Sequence, residues 1–221
     1  MNELIFLLHI LLVVILSFGA LKLGKETLVA MTALMAVLAN LFVLKQTVLF
    51  GWNVTCSDVF IVGITLNLNL IQEYFGKESA KKVMMICFFA MVSFGLLAQF
   101  HLMYDPSLSD TTQTHYLSLL NQAPRILMAS LLSFFLVQQV DIRFFAFLKR
   151  RFSTWNWNKR NLIALINSQL LDTLLFSFLG LYGIVSSITD IIMLSFMIKL
   201  IISCSMTFFI SFSKRMIAHE I

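Results

Sequence analysis

The chain has 221 residues, of which 59% are hydrophobic and 12% charged, with 22 Phe, 12 Met and a mean hydropathy of +0.90. Soluble domains run near about 45–50% apolar and ~25% charged, so a water-soluble globule is excluded, and most apolar side chains must face lipid or one another. The net charge of +5 bears less on function than the placement of the Lys and Arg residues, and the scarcity of Gly and Pro excludes collagen, low-complexity disorder and a glycine-rich phosphate loop.

An apolar run of about 17–25 residues crosses a ~30 Å hydrocarbon core as a helix. Seven such runs are expected, at 4–21, 27–44, 54–75, 83–103, 125–147, 161–184 and 190–212. The first follows Glu3 rather than a basic segment, and no small-residue cleavage site separates it from the second. It reads as a retained helix and not a signal peptide. The third run carries Asp58, Asn67, Asn69, Gln72 and Glu73, and the sixth carries Asn167, Gln169 and Asp172, making these the most polar of the seven. Between the fourth and fifth, residues 104–124 contain both prolines, Pro106 and Pro124, and a Tyr116, Leu117, Leu119, Leu120 pattern that predicts one short interfacial helix. Trp155 and Trp157, set among basic residues, are expected to anchor the opposite interface. The expected fold is all-α: one polytopic transmembrane helix bundle over residues 1–221, with six to seven spans.

Short loops rich in Lys and Arg stay on the cytoplasmic side. Alternate loops and the C-terminal tail hold Lys22, Lys25, Lys77, Lys81, Lys82, Arg143, Lys149, Arg150, Arg151, Lys159, Arg160, Lys214 and Arg215, thirteen of the 16 basic residues. The other loops hold only Lys45 and Arg125, and Lys199 lies within a span. This asymmetry predicts an N-terminus outside and a C-terminus inside. Cys56, Cys87 and Cys204 sit in apolar stretches without C-x-x-C spacing, so they read as small hydrophobes rather than disulfide partners or zinc ligands.

Charged side chains within the bilayer are costly, about 2.5–3.5 kcal/mol at the centre on insertion scales, and persist where partners or function compensate. Asp172 and Lys199 fall at similar depth on consecutive spans, which predicts an ion pair that either holds two helices together or binds substrate. Thr65, Asn69, Gln72 and Glu73 share one helical face, readable as interhelical glue or as a polar path. The fifth run places Ser130, Gln138 and Asp141 between Arg125 and Arg143. Ser195, Lys199, Ser203, Thr207 and Ser211 recur every four residues, a ridge suited to close helix packing. His9 and His101 lack metal-ligand spacing, and no G-x-S-x-G, H-E-x-x-H or G-x-x-x-x-G-K-[ST] motif occurs. No enzyme and no cofactor are therefore expected. Small-solute transport is the default function.

Four tracts together resemble the queuosine precursor transporter family, also called the vitamin uptake transporter family of bacterial membrane proteins. They are Gln-Glu-Tyr-Phe-Gly-Lys-Glu-Ser-Ala-Lys-Lys at 72–82, Arg125 through Ala129-Ser130 to Gln138-x-x-Asp141, Ser168-Gln169-x-x-Asp172-Thr173, and Lys199 in the last span. The resemblance covers about 40–212. It implies substrate contacts from Glu73, Arg125, Ser130, Gln138, Asp141, Gln169, Asp172, Thr173 and Lys199. It also implies an inner-membrane importer of a 7-deazaguanine base, such as 7-cyano-7-deazaguanine, 7-aminomethyl-7-deazaguanine or queuine, for tRNA modification. The partners expected are that nucleobase-like molecule and the bilayer, with no nucleic acid, and the oligomeric state is left open. A substrate-binding membrane subunit driven by a separate ATPase is the alternative.

Overall fold

The computed structural model describes residues 1–152, 154 and 157–217, with backbone alone at 138, 142, 145, 157–161, 204 and 206–217. Trp155 lies outside the described residues, as does the side chain of Trp157. The helices are α1 (Asn2–Leu23), α2 (Lys25–Phe42), α3 (Asp58–Phe75), α4 (Lys77–Leu102), α5 (Gln113–Leu120), α6 (Ala123–Arg151), α7 (Trp157–Phe176) and α8 (Ile188–Ile217). The chain is a helical bundle, as its hydropathy predicts. The short α5 falls where the Tyr116–Leu120 pattern placed it.

Two single-residue junctions set the tight antiparallel turns. Gly24, at φ +113°, links α1 to α2, and Gly76, at φ +85°, links α3 to α4. Both need a residue without Cβ. Each glycine N–H caps the preceding helix by donating to a carbonyl, Leu21 O at 3.2 Å and Gln72 O at 3.1 Å. Lys22, Lys25 and Lys77 therefore gather at one end of the bundle, the basic end, with Arg151 closing α6 there.

The opposite end departs from an all-α expectation. Residues 43–44 and 54–57, expected inside spans, belong instead to the connection around a β-hairpin, β1 (Gln46–Leu49) and β2 (Trp52–Thr55). Gln46 pairs with Thr55 and Leu49 with Trp52, around a turn in which Phe50 (φ +53°) and Gly51 (φ +83°) both take positive φ, the geometry that matches strand twist. An isolated two-stranded hairpin is marginal, and this one is tied at both sides. The Asn53 N–H donates to Asp190 Oδ2 at 2.9 Å, Gln46 Oε1 accepts from the Ser186 N–H at 2.8 Å, and the Phe50 N–H donates to Glu3 Oε1 at 3.1 Å.

Among the described residues, five stretches are long and apolar enough to cross a membrane: Asn2–Leu23, Lys25–Phe42, Lys77–Leu102, Gln113–Arg151 and Leu162–Leu181. α3 falls short of that apolarity because its 18 residues include Asp58, Asn67, Asn69, Gln72 and Glu73. It is instead the central helix, packed on α1, α2, α4 and α8, with Leu66, Leu70 and Ile71 fully buried. Gly63 lets α1 and α2 approach it: a Cβ there would stand 2.2 Å from Met35 Sδ and 2.6 Å from Val13 Cγ1. The outer surface is apolar, with Leu7, Leu8, Leu11 and Leu12 of α1 all more than half exposed, as lipid contact requires.

The sixth expected span is not one α-helix. α7 ends at Phe176 and a π-helical turn, Ser177–Leu181, follows. Such turns widen a helix and leave carbonyls misaligned. Arg125 meets two of them, with Nε donating to Leu179 O at 3.1 Å and an Nη to Tyr182 O at 2.6 Å.

Candidate functional site

α2, α3, α6, α7 and α8 surround two adjoining cavities. The smaller, about 110 Å³, lies toward the hairpin end and is lined by Thr55, Ser57, Asp58, Thr173, Ser177 and Ser195 among others. The larger, about 440 Å³, extends from it toward the basic end between α4, α6 and α7, past Met84, Phe88, Phe134, Asp141, Ser168 and Gln169. Its size falls within the roughly 300–1,000 Å³ of small-molecule sites. Asn40, Ser130, Asp172 and Lys199 line both, so they form the wall between the two.

The expected ion pair is in that wall. Lys199 Nζ is 2.6 Å from Asp172 Oδ2 and donates a second bond to Thr173 Oγ1 at 3.2 Å. The Lys199 side chain is 12% exposed and that of Asp172 37%, so of two residues that both line the cavities the carboxylate is the more accessible. Thr173 keeps its own hydroxyl on Gln169 O at 2.8 Å, which leaves its lone pair for the ammonium. The pair joins neighbouring helices α7 and α8 and at the same time faces space large enough for a ligand.

Two further carboxylates face these cavities. Asp141 on α6 accepts a bond from Ser168 Oγ of α7 at 2.5 Å. Ser168 and Asp172 are four residues apart on α7, hence on one face and about one turn, ~5.4 Å, apart. The two glutamine-to-aspartate tracts of the sequence thus converge, with Asp141 and Asp172 lining the same cavity. Asp58, at the start of α3 and 5% exposed, accepts a bond from Ser195 Oγ at 2.7 Å. Ser195 lies one turn before Lys199 on α8, so Asp58, Ser195, Lys199 and Asp172 form one polar strip across three helices. Sequence periodicity marked Ser195 as a packing residue. Its bond to Asp58 was not legible, because it pairs residues 137 positions apart.

The structure brings Ser130, Asp141, Gln169, Asp172, Thr173 and Lys199 to the cavities, while Arg125 and Glu73 do not line them. Arg125 sits on the π-turn carbonyls. Glu73 lies in the last turn of α3, at the basic end. Gln138 is on α6, three residues before Asp141, with its side chain outside the described atoms. On the α3 stripe, Thr65 reaches the larger cavity, while Asn69 Nδ2 turns back onto Thr65 O at 2.8 Å. Among the described residues, no group of three His, Cys, Asp or Glu side chains could hold a metal ion.

Residues 55–213, from the end of β2 through most of α8, match the family described as "Putative vitamin uptake transporter". The chain belongs to this family. That match takes in the elements carrying Asp58, Asp141, Asp172 and Lys199. A protein of Bacillus subtilis (strain 168), described as "Probable queuosine precursor transporter", is 29% identical over 181 residues, covering 80% of this chain and 77% of that protein. No solved structure matches the chain. The chain is accordingly a multi-pass membrane protein of a transporter family, with a polar-walled cavity inside an otherwise apolar bundle.

Proposed function

We propose that this protein imports queuosine precursors, 7-deazaguanine bases such as 7-cyano-7-deazaguanine, 7-aminomethyl-7-deazaguanine or queuine, across the bacterial inner membrane for tRNA modification. The observation that carries this reading is the Asp172–Lys199 pair, both residues lining a 440 Å³ cavity, in a chain that resembles a queuosine precursor transporter over most of its length. Asp172 accepts the N–H and exocyclic amino donors of the base edge, and Lys199 turns to the ring carbonyl. One satisfied arrangement replaces another, so no unpaired charge is left in the bilayer. Ser130, Gln169 and Thr173 supply neutral donors and acceptors around the ring, and Phe88 and Phe134, whose rings meet edge-on at 4.8 Å, offer an apolar wall. Glu73, Gln138 and Asp141 mark the way out toward the basic end, and Arg125 holds the opposite end of α7 in shape.

Seven spans with the basic end in the cytoplasm complete this reading, since they put thirteen of the 16 Lys and Arg residues on one side. The test is uptake of radiolabelled bases by cells that lack both precursor synthesis and their own importer. Accumulation should require this chain and should fall to background with Asp172→Asn. Wild-type rates in that variant refute the binding mode, and no uptake of any of the three bases refutes the substrate class.

A further inference from the structure

Among the described residues, the charges lining the two cavities do not balance: Asp58, Asp141 and Asp172 stand there with one cation, Lys199. Lys199 is committed to Asp172 at 2.6 Å. Asp58 is held by a serine hydroxyl and lies in the same small cavity as Lys199, so it draws on that one charge as well. Among the described residues, Asp141 is met by the Ser168 hydroxyl and by no cation, and it lines only the larger cavity, whereas Asp58 lines the smaller. Arg143, two residues along α6, is exposed and lines neither cavity. A carboxylate within a membrane bundle retains its charge where a cation meets it. The open cavity beside Asp141 is where that cation can enter.

Resting on the function proposed above, we infer that the site is built for a substrate carrying a protonated amine, with the Asp141 carboxylate as its receptor. An alkylamine of the aminomethyl type is cationic at neutral pH, as a lysine side chain is. Asp141 and Asp172 line the same 440 Å³ cavity, and Ser168, which positions Asp141, lies one turn of α7 before Asp172. A base with its amino-bearing edge on Asp172 then directs its aminomethyl substituent at Asp141. The ammonium then forms a charge-assisted bond where an uncharged substituent of similar reach forms none. The protein therefore discriminates among 7-deazaguanine bases by charge: 7-aminomethyl-7-deazaguanine enters in preference to 7-cyano-7-deazaguanine, which has the same rings and no positive charge.

The experiment measures uptake of both bases, as the kcat/KM ratio of amine to nitrile, by the full chain in the same transport-deficient cells. The wild-type ratio should be at least tenfold in favour of the amine. Asp141→Asn should cut that ratio at least tenfold, and Ser168→Ala should shift it in the same direction by less. Equal wild-type uptake of the two bases overturns this inference while leaving the proposed function intact. An Asp141→Asn protein that inserts at normal levels and loses both substrates in proportion also overturns it. Uptake of neither base overturns the inference, and overturns the proposed function with it only if queuine also fails to enter. Because the wild-type ratio needs no variant, a failure of Asp141→Asn to fold does not rescue the idea.

Discussion

Lys199 faces two carboxylates, and this predicts an unequal response to removing either member of its pair. Lys199→Gln leaves Asp172 and Asp58 lining one cavity of about 110 Å³ with no cation among the described residues around it. Stranding one charge of a buried pair costs about 3–5 kcal/mol, and the 37% exposure of the Asp172 side chain places the loss near the lower end, about 3 kcal/mol. Asp172→Asn is milder. Lys199 keeps the Thr173 hydroxyl at 3.2 Å and turns to Asp58 across the cavity, so the loss is the difference between a charged and a neutral acceptor, about 1 kcal/mol. At roughly 2–4 °C per kcal/mol for a chain of this size, Lys199→Gln should lower the Tm by about 6–12 °C and Asp172→Asn by about 2–4 °C. The assay is the fraction of detergent-solubilised protein that stays monodisperse after heating. Replacing Asp58, Asp172 and Lys199 together by Asn, Asn and Gln leaves no charge in that cavity and should recover most of the loss. The reasoning is refuted if Asp172→Asn proves as damaging as Lys199→Gln, or if Lys199→Gln melts within about 2 °C of the parent.

Gly63→Ala should lower the folded yield, because its Cβ would collide with Met35 Sδ and with Val13 Cγ1 in a core where overpacking costs about 1–3 kcal/mol; a Gly63→Ala chain with the parent's yield and thermal stability would refute the close approach of α1 and α2 at this glycine. Arg125→Ala should strip the two donors from Leu179 O and Tyr182 O and reduce stability by about 1–3 kcal/mol while the KM of the remaining folded protein stays unchanged, whereas a rise in KM would put Arg125 in contact with substrate. Reporter fusions in the 104–112 segment and at the C-terminus should report opposite sides, external for the first and cytoplasmic for the second, and the same side for both would refute the seven-span topology.

The sequence by itself determined that the chain is a helical membrane protein, because helix length and apolarity are local quantities that the bilayer reads one segment at a time. It also exposed Asp172 and Lys199, since a charge in an apolar run is visible without knowing its neighbours, and their matching depth on consecutive spans predicted the pair at 2.6 Å. Tertiary structure alone decided which polar residues share a space. Asp58 looked like the polar start of a span until α8 brought Ser195 to it, and Ser195 looked like packing until Asp58 was there to accept its hydrogen bond. Arg125 stands in one dimension at the start of a span, and only the fold shows it donating to Leu179 O and Tyr182 O at the π-turn. Hydropathy likewise read the hairpin at 46–55 as loop and span ends, because two four-residue strands are held by Glu3, Ser186 and Asp190, contacts of long sequence separation that no local period encodes. A membrane span announces itself through its own solvent, but a binding site exists only where helices distant in sequence turn their polar faces toward one another.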